Sequence, residues 1–496
     1  MNPAEQMADV CLVLEGTYPF VTGGVSSWTH DLLCAQKDTS FHLMCLLPEN
    51  ADRKHRYKVP GNVVSLSTVT VGKVPERHGR ISDLHGLLHR LEPHLQRVLG
   101  SGGLEDLTAV LRELQPVRNR IGAGALLNSP EAWALLTRMY ETTHAASAFL
   151  DYFWTWRALL GGLYSMLLCP LPPARLYHPV CTGYAGLFSA RAHVDTGRPI
   201  ILTEHGIYTN ERRIEIGMAD WLYETKHSGL QLEPRGRELK DLWMDSFSTY
   251  SRACYEACAQ IITLYEGNQR FQVQDGAAPK KLAVIPNGID VRKYSAVVRD
   301  ETDRPPTVAL IGRVVPIKDV KTFIRAVATL RGAVPEVQAL VLGPVDEDED
   351  YFAECEALVN HLGLEDTVTF TGRVALTDYL GKIDLMVLTS ISEAQPLVIL
   401  EAGAAGIPSV ATDVGACREM IYGRGDEPEN FGAAGEVVPL ADPGATASAM
   451  ARLLLVPGKL TQAREAAKAR VKQYYDKPRL DAAYANLYKK FTLTSA

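Results

Sequence analysis

Six short apolar runs in the second half of the chain, at 308–311, 339–342, 368–370, 385–388, 409–411 and 437–438, alternate with segments long enough for a helix. A strand inside a parallel sheet is covered on both faces, so it reads as continuous apolar sequence rather than as alternation. Strand and helix repeated in this way predict a parallel sheet wound by right-handed crossovers. The first half carries similar runs at 10–14, 41–47, 63–69, 176–180, 200–203 and 260–265. Between about 80 and 170 the period changes to that of helices, with Leu84, Leu87, Leu88, Leu91 and Leu95 on one face. This is read as a helical insertion in a first α/β domain, with Trp133, Trp154 and Trp156 in its core.

Composition narrows the classes. At roughly 100–200 residues per domain, 496 residues hold two to four domains. A hydrophobic share of 46% with 22% charged residues is that of a globular chain. The net charge of −7 offers nothing to nucleic acid or acidic lipid. Nine scattered cysteines read as reduced core residues, and Cys254 and Cys258 lack a second pair for zinc. The start lacks the basic and apolar regions of a leader. The longest apolar stretch, 158–171, stops short of the ~18–20 residues of a membrane helix and ends in prolines. The expectation is a cytoplasmic protein with no direct membrane insertion and no nucleic-acid partner. The polar segment from Asn287 to Pro306 is read as the linker, dividing the chain into 1–290 and 291–473, with the carboxyl ends of two sheets facing a cleft.

Several chemistries are excluded. The Gly-Lys pairs at 72, 381 and 458 are followed by Val74, Ile383 and Leu460, so there is no P-loop. No dinucleotide fingerprint follows a strand, and neither a nucleophile elbow nor a paired-histidine zinc motif occurs. Asp346, Asp348 and Asp350 have a metal-binding spacing, but they lie in an acidic run entering a helix at Tyr351 and are read as a solvated loop.

One segment carries chemistry. Ser390 to Pro408 follows an apolar run and holds Glu393, Pro396 and Glu401. Pro396 suits the first position of a helix, which leaves the N–H groups of Leu397 and Val398 to form an anion site. Two carboxylates beside an anion make sense when they accept from neutral hydroxyls, which suggests a sugar attached to phosphate.

The Glu393 and Glu401 spacing, the run from Thr412 to Gly415 with Glu419, and Gly312, Arg313 and Lys318 resemble the retaining glycosyltransferases of the GT4 type. That resemblance implies the GT-B fold, two Rossmann-like domains about a cleft, with residues 474–496 packing back on the first. It implies that Arg313 and Lys318 hold the diphosphate of a UDP-sugar and stabilise its departure without a metal. Glu401 would bind the ribose, Glu393 the hexose, and Arg373 would stand near the base. In the first half, Gly23 and Gly24 allow close backbone approach to a phosphate, and His205 would face the donor sugar.

Residues 14–28, 203–208 and 284–290 are similar, more narrowly, to the cytosolic glycosyltransferases of bacterial Pel exopolysaccharide synthesis. The implied reaction is retaining transfer of a hexose, from UDP-glucose or a UDP-N-acetylhexosamine, to a growing polysaccharide. The implied partners are that acceptor and inner-membrane Pel synthase proteins that recruit the enzyme. No cofactor or metal is expected. Gln395 before Pro396 departs from the wider GT4 pattern and leaves the donor pocket's shape open. A sugar-nucleotide epimerase and a non-catalytic UDP-binding scaffold remain as alternatives.

Overall fold

The computed structural model describes residues 7–217, 238–425 and 427–493. The chain forms two compact units. One comprises residues to Thr263, Asn268–Ala283 and the chain from Tyr484; the other comprises Leu264–Gly267 and Val284–Ala483. Residues 290 and 291, where the sequence suggested a boundary, both belong to the second.

The first unit holds β1 (Ala8–Glu15), β2 (Phe41–Leu47), β3 (Val63–Thr70), β4 (Ala174–Pro179), β5 (Ile201–Glu204), β6 (Gln260–Thr263) and β7 (Leu282–Val284), the last residue of which falls in the second. Four strands pair in the order β3-β2-β1-β4 and three in the order β5-β6-β7. A parallel bridge from Tyr177 to Ile200 joins the two groups edge to edge. The registers are parallel, with Val10 opposite both Phe41 and Leu176. Strand β7 is short and half-buried, and its three residues gave no apolar run long enough to read.

The insertion lies between β3 and β4. It comprises helices Leu84–Val98, Leu104–Leu114, Ala123–Leu127, Pro130–Thr143 and Phe149–Leu168. Leu87, Leu88, Leu91 and Leu95 are buried, as their spacing requires. Asp83 caps the first helix by accepting from the Gly86 N–H at 2.8 Å. Ser129 caps the fourth, ahead of Pro130, by accepting from the Ala132 N–H at 3.0 Å. The tryptophans divide. Trp156 is 1% exposed, with its indole N–H toward Met139 Sδ at 3.4 Å. Trp133 and Trp154 are 52% and 59% exposed, contrary to the core reading. The helix Phe149–Leu168 is buried throughout only from Leu159 onward, so its first turns keep a wet face.

Helix Lys477–Leu493 carries Tyr484 and Tyr488 into the first unit. The Tyr488 hydroxyl meets His178 Nδ1 at 2.9 Å, and Thr203 Oγ1 lies 2.9 Å from His178 Nε2 and 3.1 Å from the Tyr484 hydroxyl. Burial pushes the His178 imidazole down to about 3, so it stays neutral in this network.

The second unit holds β8 (Thr307–Ile311), β9 (Gln338–Leu342), β10 (Val368–Gly372), β11 (Leu385–Leu388), β12 (Ser409–Thr412) and β13 (Gly435–Val438), all parallel. Their order is β10-β9-β8-β11-β12-β13. Each sheet therefore reverses direction beside its first strand, which creates a topological switch point where loops diverge and a ligand can enter. In this unit the switch lies between β8 and β11. Phe323, Ile324, Val327 and Leu330 of helix Val320–Arg331 are buried in the apolar cluster that includes Val308, Val341 and Val387 of the sheet.

The segment read as a linker is structural. Asp290 caps helix Val291–Ser295 through the Arg292 N–H at 3.1 Å, and Ile289, Val291 and Tyr294 are buried within the second unit. Its polar residues face outward and concealed these three from a composition reading. Asp384, just before β11, accepts from Arg304 at 2.8 Å, from the Thr307 N–H at 2.9 Å and from Arg299, with Arg464 at 3.3 Å. Among the described residues no helix is long and apolar enough to cross a membrane.

Candidate active site

Two loops meet at the β8/β11 switch point. The chain after β8 turns through Gly312 and Arg313 to a short 3-10 turn, Pro316–Lys318. The chain after β11 begins at Thr389, whose hydroxyl lies 3.0 Å from the Lys318 carbonyl and 2.9 Å from that of Asp319. Ile391 N–H donates to the Ile317 carbonyl at 2.9 Å. These bonds fix the Lys318 backbone against the loop that carries Glu393. The side chains follow, with Lys318 Nζ paired to Glu393 Oε1. Both are largely shielded from water, so the pair is more than a surface contact.

The floor of this loop explains one glycine. Gly415 has φ +50, and a Cβ there would fall against the carbonyl oxygens of Glu393 and Ala394. Ala416 N–H donates to the Ala394 carbonyl at 2.8 Å and closes the turn. Thr412 supports the same loop from β12, with its hydroxyl 2.7 Å from the Ser390 carbonyl.

Pro396 sits one position earlier than expected. It is the N-cap of helix Leu397–Ala404, with ψ 106, rather than the first helical residue. A proline fixes φ but leaves ψ free, so either position accepts it. Ile399 N–H bonds the Pro396 carbonyl at 3.1 Å, while the amides of Leu397 and Val398 have no partner among the described residues. Those two amides are the donors that the sequence assigned to an anion.

Glu401 lies on the same helix and is half-buried. Its Oε1 accepts from the Tyr294 hydroxyl at 2.7 Å, which orients the carboxylate. Burial, then the hydrogen bond to Glu401, raises the Tyr294 pKa, so the phenol remains a donor. The sequence reading missed Tyr294 because it lay in the supposed linker. Gln395 turns away from solvent: its amide accepts from the Asn287 N–H at 2.7 Å and donates to the Asn287 carbonyl at 3.2 Å. This residue clamps backbone to backbone, so its side chain is a brace for the loop.

The other two cations stand further out. Arg313 pairs with Glu347 at 2.8 Å, and Arg373, after β10, pairs with Asp346 at 3.3 Å. Both arginines are exposed, tied to the loop after β9. That acidic loop therefore does more than face solvent, and Glu347 is a second missed residue. Asp348 caps helix Glu349–His361 by accepting from the Tyr351 N–H at 2.9 Å.

Gly23, Gly24 and His205 belong to the first unit. Gly23 caps helix Gly24–Ala35, and a Cβ at either glycine would meet nothing within 4 Å. His205 follows β5, edge-on to Trp28 with ring centroids 4.6 Å apart. Burial lowers its pKa to about 4, and its Nε2 has no hydrogen-bond partner among the described residues. The imidazole is thus neutral at pH 7. Glu204, one residue earlier, points inward to the Tyr255 hydroxyl at 2.8 Å and to Gln272 Nε2 at 2.9 Å. Burial raises its pKa to about 7.

Two Rossmann-like units with one strand order define the GT-B class, and the solved structures agree. HepE of Anabaena in complex with UDP is 16% identical over 97% of this chain and 99% of that one, with a TM-score of 0.56. Sucrose-phosphate synthase from Thermosynechococcus elongatus is 16% identical over 98% and 99%, with a TM-score of 0.57. The profile of glycosyl transferases group 1 matches residues 305–455, so the second unit carries a glycosyltransferase domain.

The chain belongs to the DUF3492 family, described as a domain of unknown function, whose profile matches residues 8–280. Among curated relatives, D-inositol 3-phosphate glycosyltransferase 2 of Catenulispora acidiphila is 31% identical over 37% of this chain and 45% of its own. An MMP alpha-(1->4)-mannosyltransferase of Mycolicibacterium hassiacum is 23% identical over 59% and 66%. The matched stretch spans about half the length of the first of these relatives.

Proposed function

We propose that the protein is a retaining, metal-independent glycosyltransferase that moves a hexose from a UDP-sugar to a saccharide acceptor. The observation that carries this reading is the Lys318–Glu393 pair at the β8/β11 switch point, beside the partnerless amides of Leu397 and Val398. A diphosphate placed there receives one fixed cation and two backbone donors, while Glu393 and Glu401 accept from sugar hydroxyls. Glu401 takes the ribose and Glu393 the hexose; Arg313 joins the diphosphate, Arg373 the base. His205, Gly23 and Gly24 keep the donor-binding assignment that the resemblance implies. The acceptor hydroxyl attacks the anomeric carbon on the face the diphosphate leaves, and its proton passes to the departing phosphate oxygen.

The narrower reading is PelF, the cytosolic glycosyltransferase of Pel exopolysaccharide synthesis. It rests on the similarity of residues 14–28, 203–208 and 284–290. It implies a polysaccharide acceptor and recruitment to the inner membrane through protein partners.

Incubation with UDP-glucose and UDP-N-acetylhexosamines tests the reaction class. Transfer or its hydrolytic side reaction releases UDP; an epimerase returns an altered UDP-sugar and no UDP. Excess EDTA is expected to leave UDP release largely intact, because Lys318 and the helix amides supply the charge stabilisation that a metal would otherwise provide. Arrest by EDTA with restoration by manganese would transfer that role to an ion.

Glu401→Gln is expected to weaken UDP binding with little change in thermal midpoint. Its hydrogen bonds to the ribose are those of a charged acceptor, worth ~1.5–3 kcal/mol. Calorimetry showing an unchanged dissociation constant would remove Glu401 from the site.

A further inference from the structure

The helical insertion has a stripe whose two halves have different surroundings. On helix Phe149–Leu168, residues Trp154, Arg157, Gly161 and Ser165 are spaced by three and four and share one face. The carboxyl-terminal half of this stripe docks on the turn after β3. The Ser165 hydroxyl accepts from the Gly72 N–H at 3.1 Å, and a Cβ on Gly161 would lie 3.2 Å from the Gly72 carbonyl oxygen. The amino-terminal half runs beyond that turn. Arg157 reaches the Leu127 carbonyl at 3.1 Å, and Trp154, one turn earlier, stands in solvent.

Between this helix and the carboxyl ends of β2 and β3 lies a cavity of about 330 Å3. Its wall includes Glu49, Lys73, Glu76, Asn128 and Arg157. Its wall carries two carboxylates and two cations, so the cavity has no net charge to attract a phosphate. It offers donors and acceptors together, which suits a ligand whose hydroxyls do both. The volume is at the lower end of the ~300–1,000 Å3 of small-ligand pockets.

Trp154 lies on the same helix face, about one turn, or ~5 Å, before Arg157. Its ring is set by neighbours: Phe153 lies at 4.9 Å, and Phe153 is in turn 5.9 Å from Trp133. An indole face carries negative quadrupole charge, which attracts the weakly positive C–H groups of a pyranose ring.

We propose that the cavity and Trp154 form a binding site for an uncharged oligosaccharide, one ring in the polar cavity and a later ring on the indole. This rests on the glycosyltransferase reading, for which it supplies the acceptor side.

The experiment titrates the full-length protein with hexamers of α-1,4-glucose, β-1,4-glucose and β-1,4-N-acetylglucosamine, read by tryptophan fluorescence and calorimetry. At least one hexamer should bind and shift the fluorescence, and Trp154→Ala should weaken that hexamer roughly ten-fold or more. Asn128→Ala should weaken it several-fold. Both side chains are exposed, so neither change should move the thermal midpoint appreciably. The inference is overturned if no hexamer binds the wild-type protein, or if Trp154→Ala leaves its dissociation constant within two-fold. UDP titrated into the same sample separates the two readings. Absent UDP binding rejects the donor site, whereas UDP binding without hexamer binding rejects only the oligosaccharide site.

Discussion

Lys318→Ala should lower UDP release from a UDP-hexose by roughly 10²–10³-fold while the protein stays folded. Removing one preorganised contact to a developing anion typically costs ~2.7–4 kcal/mol of barrier. Of the two proposed cations, Lys318 is the more firmly held. It is shielded and its backbone is locked by Thr389, whereas Arg313 is exposed and held by Glu347. Arg313→Ala should therefore cost less. Steady-state turnover at saturating donor measures this. A Lys318→Ala enzyme within two-fold of wild type would mean that the diphosphate lies elsewhere.

The largest expected loss of stability follows Asp384→Asn. The carboxylate is 10% exposed and has three guanidinium groups around it, from Arg299, Arg304 and Arg464. Breaking such a buried arrangement by removing one partner costs about 3–5 kcal/mol, because charges remain without a counterion. Burial works against the carboxylate's charge, but hydrogen bonds from Arg304, the Thr307 amide and Arg299 outweigh it and hold the pKa below the usual value. A carboxyl with a lowered folded pKa stabilises above its unfolded value of about 3.9 and loses that contribution as pH falls through the folded value. The wild-type thermal midpoint should thus fall on acidification below about pH 4, and the variant should lack this component. Equal midpoints for the two proteins at pH 7 would contradict the assignment.

The fold was readable where burial is uniform. Strands β1, β2, β8 and β11 are covered on both faces and announce themselves as unbroken apolar runs. Strand β7 was not readable, because three half-buried residues carry too little pattern. Of the proposed site residues, Glu393 and Glu401 were named on their spacing and Lys318 on the resemblance, and the fold pairs Lys318 with Glu393. Tyr294 and Glu347 were not named, since each lies in a polar stretch whose role depends on a partner distant in sequence. Gln395 shows the same limit: only the fold reveals that its amide holds the Asn287 backbone.

The two units share the order of their first four strands, and the connection between the third and fourth is where they differ most. From the outer strand β3 the first unit takes residues 71–173 to return to β4, whereas the second goes from β10 to β11 within residues 373–384. This return begins at a sheet margin, where added chain displaces no neighbouring strand, and lengthening a loop costs only ~0.6 kcal/mol per doubling. The margin is therefore the scaffold's open port. A different insertion could be exchanged at the first junction, or grafted at the second, without rewiring either sheet.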